Sequence, residues 1–246
     1  MIQKADINKS VFQLKTDLIK LASAKKAKAS EWFFKTGPGQ YGEGDQFIGV
    51  TVPEQRSIAR KYKDLPLSQS EQLLKSPIHE ERLVALIILV ERFKSANRQR
   101  DQETQKEIYD FYLSHTDRVN NWDLVDLSAD YIVGAYLADK PKSVLYKLAK
   151  SRNLWERRIA MVATYYYIRQ SEAKYTLEIA DVLLHDSHDL IQKAVGWMLR
   201  EVGKRCSEQV LTDFLDKHAP EMPRTALRYA IERFPPEKRQ KYLKSK

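Results

Sequence analysis

Trp122 and Asp126 lie four residues apart, and their side chains are suited to stabilising positive charge. Asn121 is of a type favoured as an N-cap, so both residues are predicted on one face of a helix, near its start. There the helix dipole favours an ionised carboxylate. Arg158 and Trp197 follow later in the chain. An ionised carboxylate stabilises a developing cation, aromatic faces attract cationic rings, and arginine binds phosphate, so these side chains suit a reaction that develops positive charge beside a phosphate.

Five segments of the chain share a polar start, a basic residue and then a small residue within an apolar helix. Their common position is occupied by Ala85, Asp126, Ala160, Ala194 and Ala226, at steps of 41, 34, 34 and 32 residues. Such periods are typical of helix hairpins that stack into a curved array. We therefore predict an all-α, HEAT-like or ARM-like helical repeat solenoid with a concave face. A bundle of non-repeating helices is the alternative.

The whole chain, 1–246, is predicted to form one α-solenoid domain, because each repeat needs its neighbours to bury its apolar face. A helical cap covers about 1–36, a glycine-rich loop 37–49, and helical repeats about 50–246. Trp197 is expected early in the helix two repeats after that of Asp126, and Arg158 early in the one between. Stacked helices are adjacent and parallel, so these side chains are predicted to converge on the concave face.

Asp126 is anomalous because the other four repeats place alanine at its position. Alanine lets helices approach closely, whereas a buried carboxylate carries a large desolvation cost. Departures from local rules of this kind are frequent at functional sites. Two structural alternatives remain open: a solvated helix aspartate, or an aspartate paired with an arginine.

The chain is basic, with 42 Lys plus Arg against 33 Asp plus Glu and a formal net charge of +9. This charge predicts attraction to polyanions. Basic residues at helical spacing surround the candidate site, and we assign these to nucleic-acid binding: Arg157, Lys193, Arg200, Lys204 and Arg205. An ordinary solvated face is the alternative for each. The stretch through Lys35 adds eight lysines against three acidic residues.

Several other functions are disfavoured by the sequence. Gly37, Gly39 and Gly42 match a dinucleotide-binding spacing, but they follow a helix-like stretch and Pro38 removes a backbone donor, so we expect no nucleotide cofactor. The loop is interpreted as a flexible connector or as a backbone contact for phosphates. The HDSH pair, 185 and 188, lacks cysteine partners, and no metal is expected.

The longest apolar run, Leu83–Val90, has eight residues and is predicted to be one buried helix rather than a membrane span. The first ten residues lack the apolar core of a secretory signal. A single cysteine, Cys206, has no partner for an internal disulfide. We therefore expect a cytoplasmic protein that does not bind membranes.

Three motifs resemble stretches of the bacterial DNA alkylation repair glycosylases of the AlkD type: WDLVD with Trp122 and Asp126, WERR with Arg158, and QKAVGWMLRE with Trp197 and Arg200. The resemblance extends from the FIGVTVPEQR segment to the last repeat. The glycine-rich insertion before FIGV is a departure from the shortest members.

This resemblance implies a HEAT-like fold that grips duplex DNA carrying alkylated bases in its concavity. It also implies that Asp126 is the catalytic carboxylate, that Trp122 and Trp197 flank the deoxyribose, and that Arg158 contacts the DNA backbone. No cofactor and a monomeric state are expected. Two alternatives remain: a non-catalytic binder of damaged or branched DNA, and an α-solenoid that binds a protein partner.

Overall fold

A computed structural model describes residues 10–244, and its regular structure is helical apart from one parallel bridge between Gln46 and Ile78 in that range. The α-helices before residue 130 are α1 Val11–Ile19, α2 Ala24–Phe33, α3 Val52–Lys61, α4 Leu67–Leu74, α5 His79–Gln99, α6 Gln102–Leu113 and α7 Trp122–Ala129. A π-helical segment, Asp130–Gly134, continues α7. The later helices are α8 Ser143–Ala149, α9 Leu154–Ala163, α10 Tyr165–Ile168, α11 Lys174–Val182, α12 Asp189–Arg205, α13 Glu208–His218, α14 Arg224–Ala230 and α15 Pro236–Leu243. The predicted all-α class is confirmed.

The chain divides between Ser128 and Ala129 into two compact units. In the first unit, α3 and α4 pack on α5, α1 packs on α3 and α4, and α5 packs on α6. In the second unit, α8 pairs with α9 and α11 with α12, while α12 packs against α9, α13 and α14. The organisation into one domain stays a prediction.

The predicted repeats correspond to recurring helices with a small, buried residue at the same place. The alanines of the aligned position, Ala85, Ala160, Ala194 and Ala226, are all buried in α5, α9, α12 and α14. Asp126, at the equivalent place in α7, is half-buried. The periodic alanines are therefore packing residues, and the carboxylate occupies the least enclosed of the five positions.

Close helix contacts in the second unit repeat as well. A Cβ added to Gly134 would collide with the carbonyl oxygen of Ala163, and a Cβ added to Gly196 with that of Ala226. In both cases the other close neighbour is the Cβ of the tyrosine three residues further along. The same backbone approach thus recurs across two repeats, as expected for a helical repeat protein.

Helix α5 contains the apolar run Leu83–Val90, and every residue of that run is buried. The prediction of one buried helix is confirmed. The first turn of α5 is also buried although it consists of four ionisable residues in succession, His79, Glu80, Glu81 and Arg82. Burial of charged groups requires partners, and these come from α1, from the loop between α2 and α3, and from α7.

The end of the glycine-rich loop that precedes α3 is anchored to α5, and the interpretation of the whole loop as a flexible connector or as a phosphate contact stays a prediction. The Glu80 carboxylate accepts the backbone N–H groups of Ile48, Gly49 and Val50 at 2.7–3.3 Å. Gly49 has a φ of 79° and lies so close to Ser23 that any Cβ there would collide with the Ser23 carbonyl oxygen. Hydrogen bonds from a carboxylate and close backbone packing hold this end of the loop in one conformation.

The described part of the predicted N-terminal cap contains two helices, α1 and α2. Ser23 begins α2, and its side chain accepts the N–H of Lys26. Residues 1–9 of the predicted cap lie outside the described residues. Between residues 10 and 244 no helix is both long and apolar enough to cross a membrane.

Candidate functional site

Helix α7 begins at Trp122, as predicted, and the Asn121 side-chain oxygen accepts the N–H of Trp122 at 2.8 Å. The half-buried indole stacks on Phe34, with ring centroids 5.3 Å apart, and Phe33 meets it edge-on at 5.9 Å. Its N–H donates to the Tyr41 hydroxyl at 3.3 Å. The loop and α2 therefore fix the orientation of Trp122 while part of its surface remains exposed.

Asp126 lies one turn after Trp122 on the same helix and is half-buried. Its neighbours Leu124 and Val125 are fully buried, so they hold α7 against the core and leave the Asp126 face at the border of the solvent. A carboxylate in such a place keeps its charge at less cost than in the interior. The predicted pairing of Trp122 and Asp126 on one helix face is confirmed.

A buried ionic network supports the start of α7. His79 is 2% exposed, and its two ring nitrogens face Asp45 at 3.1 Å and Asp123 at 2.8 Å. Arg82 donates to Asp45 at 2.6 Å, and the Asn121 amide donates to the same carboxylate at 3.1 Å. The network therefore ties α5 and the loop to the residue that follows Trp122.

The charged neighbours in this network determine the protonation states of His79 and Asp45. Burial opposes a charged imidazole, but the Asp123 carboxylate and the hydrogen bonds to Asp123 and Asp45 outweigh it and raise the pKa of His79 from 6.5 to about 9. Although burial works against ionisation of Asp45, its hydrogen bond to His79 and the charge of Arg82 lower its pKa. At neutral pH the network is an imidazolium and a guanidinium between carboxylates.

Arg158 lies in α9 and is 5% exposed. Its guanidinium donates to the carbonyl of Leu190, near the start of α12. This contact links two neighbouring helices of the second unit. Arg158 therefore has a packing role whether or not it also contacts DNA, and it offers little surface to a phosphate.

Trp197 lies in the middle of α12 rather than early in it as predicted, and it is half-buried. Its ring is 6.1 Å from that of Tyr165. The guanidinium groups of Arg169 and Arg205 lie over Tyr165, 5.2 and 5.5 Å from its ring centroid. Trp197 thus belongs to a cluster of rings and cations, in which cation–π attraction holds positive charge at the protein surface.

The five residues assigned to nucleic-acid binding differ in how far they are engaged within the protein. Arg157 pairs with Asp186 at 2.6 Å and donates to the carbonyls of Ser151 and Arg152, so it is a structural residue of the α8–α9 connection. Arg200 is held by the carboxylates of Glu232 and Glu201.

The other three are closer to solvent. Lys193 pairs with Asp189 at 2.9 Å one turn earlier in α12. Arg205 is exposed and shares the Glu201 carboxylate at 3.0 Å, and that hydrogen bond raises its pKa. Lys204 is exposed at the end of α12. Of the five residues assigned to nucleic-acid binding, these three are the most accessible to an anionic partner.

The sequence analysis missed the partners that hold Trp122 in place: His79, Arg82, Asp45, Tyr41, Phe33 and Phe34. One signal was available for His79 and Arg82, because four ionisable residues in succession directly precede the longest apolar run of the chain. For Asp45 and Tyr41 no local signal exists, since both lie in the loop between α2 and α3.

Trp122 and Asp126 belong to the first compact unit, and Arg158 and Trp197 to the second. The first unit holds an oriented indole one turn from a carboxylate, and the second holds a tryptophan within a group of rings and cations. The carboxylate can stabilise positive charge, the rings can pack on sugar or base, and the cations can bind phosphate.

Residues 14–234 match the model of a family described as DNA alkylation repair enzyme. Among solved structures, a predicted DNA alkylation repair enzyme from Enterococcus faecalis has a TM-score of 0.66 at 16% identity, over 87% of this chain and 96% of that one. AlkD2 from Streptococcus mutans has a TM-score of 0.52 at 15% identity, over 91% and 96%. No curated protein matches the chain. These likenesses confirm the helical repeat fold.

Proposed function

The chain belongs to the family of DNA alkylation repair enzymes, and on that premise we propose that it is a DNA glycosylase that hydrolyses the N-glycosidic bond of cationic alkylated purines in duplex DNA. Its substrates would be purines such as 3-methyladenine and 7-methylguanine. The observation that carries the proposal is Asp126, a half-buried carboxylate one turn from an oriented tryptophan, at a repeat position otherwise occupied by buried alanine.

The main catalytic group that this reaction requires is a carboxylate placed near C1′ of the sugar. A purine alkylated at N3 or N7 already carries positive charge, so it leaves C1′ with the bonding electron pair and becomes neutral without being protonated. Asp126 stabilises the positive charge that develops on the sugar and positions a water molecule. The water oxygen bonds to C1′ and its proton passes to solvent. No general acid is required.

The other residues hold the substrate in this proposal. Trp122 and Trp197 flank the deoxyribose, because flat aromatic faces pack on a sugar and attract the cationic ring. We assign phosphate contacts first to Lys204 and Arg205, which are exposed, and then to Arg158, which is 5% exposed. Single-turnover release by Trp122→Ala and Trp197→Ala should fall less than by removal of the carboxylate.

The deciding experiment removes the charge of Asp126 and keeps its shape. Asp126→Asn is expected to slow release of 7-methylguanine by about a hundredfold to a thousandfold, a typical effect of losing one electrostatic group. Release is measured in a single turnover at saturating enzyme, where differences in DNA affinity drop out. Asp139→Asn, which neutralises an exposed aspartate in a turn, is the matched control and should act as wild type. Equal rates for Asp126→Asn and wild type would leave a DNA-binding repeat protein without glycosylase activity.

Substrate scope provides an independent test. Because the proposed mechanism supplies no proton to the leaving base, neutral lesions such as uracil and 8-oxoguanine should stay in the DNA while methylated purines are released. Both substrates are compared at the same enzyme concentration. Efficient release of uracil would show that another residue acts as a general acid and would refute the mechanism.

A further inference from the structure

Helix α2 presents two large aromatic side chains to solvent. Trp32 is 83% exposed and Phe33 is 55% exposed. A tryptophan so exposed leaves most of its apolar surface in water, although burial of a large apolar side chain stabilises a protein. Clustered exposed rings of this kind are typical of binding surfaces. We define the α2 surface as Lys25, Lys28, Trp32, Phe33 and Lys35.

The charge of the α2 surface identifies the class of partner. Helix α2 and the two residues after it carry four lysines, all exposed, and one glutamate, Glu31. Lys26 lies 3.8 Å from Glu54, but the structure gives no ion pair within its described residues for Lys25, Lys28 or Lys35. The partner must therefore combine negative charge with flat apolar groups. A nucleic acid strand has both, in its phosphates and its bases.

The arrangement of these residues along α2 favours a nucleic acid over a membrane or a protein groove. Lys25, Lys28 and Trp32 follow one another at i, i+3 and i+7, so cation and ring share one stripe of the helix. A helix that binds a membrane surface or a protein groove instead segregates its apolar and charged residues onto opposite faces. Two cations and a ring on one stripe match the neighbouring phosphates and a base of one nucleic acid strand.

The α2 surface has room for a flat ligand and is continuous with the candidate site. Two shallow cavities, of about 580 and 750 Å³, are both bordered by Trp32 and Phe33. The first is lined mainly by apolar atoms, including Val50, and the second includes Lys28 and Lys35. Phe33 also meets Trp122 edge-on at 5.9 Å. A strand bound at Trp122 therefore passes Phe33, which borders the same two cavities as Trp32.

We propose that the α2 surface binds an unpaired nucleotide of DNA, with the base stacked on Trp32 and the adjoining phosphates on Lys25 and Lys28. This inference rests on the proposed binding of duplex DNA and adds a preference to it. DNA in which a base has left the helix, as at a bulge or a frayed pair, should bind more tightly than fully paired DNA. Stacking does not depend on base identity, so the preference should hold for any unpaired base.

The test measures affinity by fluorescence anisotropy for three labelled duplexes of equal length. One is fully paired, one has a short bulge of unpaired thymidines, and one has the same bulge built from abasic nucleotides. Wild type should prefer the thymidine bulge to both others. Trp32→Ala should weaken binding to the thymidine bulge by about fivefold to a hundredfold, the effect of losing one stacked base, and bind the abasic bulge like wild type. Trp32→Phe should recover part of the loss.

Phe12→Ala is the matched control, because it removes a 75% exposed ring from the neighbouring helix α1. It should bind all three duplexes as wild type does. An equal loss for Trp32→Ala on the thymidine and abasic bulges, or no loss on either, would overturn the proposal. So would a Trp32-dependent affinity for vesicles of anionic lipid or a Trp32-dependent self-association with unchanged DNA affinity. Failure to bind even paired duplex would instead reject the proposed function itself.

Discussion

His79 occupies a position in which an imidazole is charged at neutral pH. It is buried in the first turn of α5, where the N-terminal end of the helix disfavours a cation, yet carboxylates face both of its ring nitrogens. His79 contacts Asp123, which directly follows Trp122, and so holds the first turn of α7 in place. At the scale of single residues, the stability of the candidate site therefore depends on the protonation of the His79 imidazole.

The free energy of unfolding should fall between pH 6.5 and 9 because of His79. Its pKa is raised from 6.5 to about 9 on folding, so its contribution is fully present below pH 6.5 and is lost as the pH rises through 9. Asp45, whose pKa is lowered by its hydrogen bond to His79 and by the charge of Arg82, remains ionised throughout this range. The loss is on the order of 3 kcal/mol, and urea unfolding at several pH values measures it.

His79→Gln should remove this dependence, since glutamine has no proton to lose in the range. His185→Gln changes an exposed histidine and should keep the wild-type slope. A wild-type protein equally stable at pH 6.5 and 9 would show that the proton on His79 contributes nothing to folding.

At the scale of elements, the loop between α2 and α3 acts as a scaffold. It carries Asp45, which joins His79 to Arg82, and Tyr41, which accepts the indole N–H of Trp122. Glu80 holds its far end by three backbone N–H groups. Conformational change in this loop would therefore reach Trp122 directly.

Gly49→Ala and Gly39→Ala separate the packing of this loop from its backbone conformation. Both glycines have positive φ, 79° and 74°. A Cβ at Gly39 meets nothing within 4 Å, so alanine there should cost only the left-handed conformation, about 1–2 kcal/mol. Alanine at Gly49 must in addition displace the Ser23 backbone and should cost several kcal/mol more. The melting temperatures of the two variants measure the difference. Equal decreases would show that the Ser23 backbone at the start of α2 can move to accommodate a Cβ at residue 49 without loss of stability.

At the scale of the whole molecule, the net charge of +9 predicts that DNA affinity falls steeply with salt. Lys204→Gln should make the slope of log affinity against log salt shallower by about 0.9, the effect of one lost phosphate contact. Lys106→Gln removes the same charge from α6 and should leave the slope unchanged. Anisotropy titrations from about 50 to 200 mM salt measure both. Identical slopes for the two variants would show that Lys204 does not contact a DNA phosphate.

Arg157→Gln should behave differently from Lys204→Gln although both remove one positive charge. Arg157 is committed to Asp186 and to two backbone carbonyls, so its loss leaves the largely buried Asp186 carboxylate without its cation. We expect a lower melting temperature with little change in the salt slope. A decrease of about 0.9 in the slope of log affinity against log salt, with an unchanged melting temperature, would show that Arg157 contacts a DNA phosphate.

The sequence by itself determined the class of fold and the part of the site that lies within one helix. Helical periodicity and buried alanines are local properties, so the repeats, the start of α7 at Trp122 and the shared face of Trp122 and Asp126 could all be predicted. Family resemblance also came from contiguous motifs. In each case the information lies within a few turns of one helix, where the spacing of residues fixes their relative positions.

Only the tertiary structure decided which charged residues are buried and what each contacts. Asp45 reaches His79 across 34 residues, His79 reaches Asp123 across 44, and Tyr41 reaches Trp122 across 81. Arg157 and Lys204 are both basic residues near the predicted site, yet one is held in an ion pair and the other is exposed. The cost of burying a charge depends on its partners in space, and residues so far apart in the chain become partners only when the helices have packed.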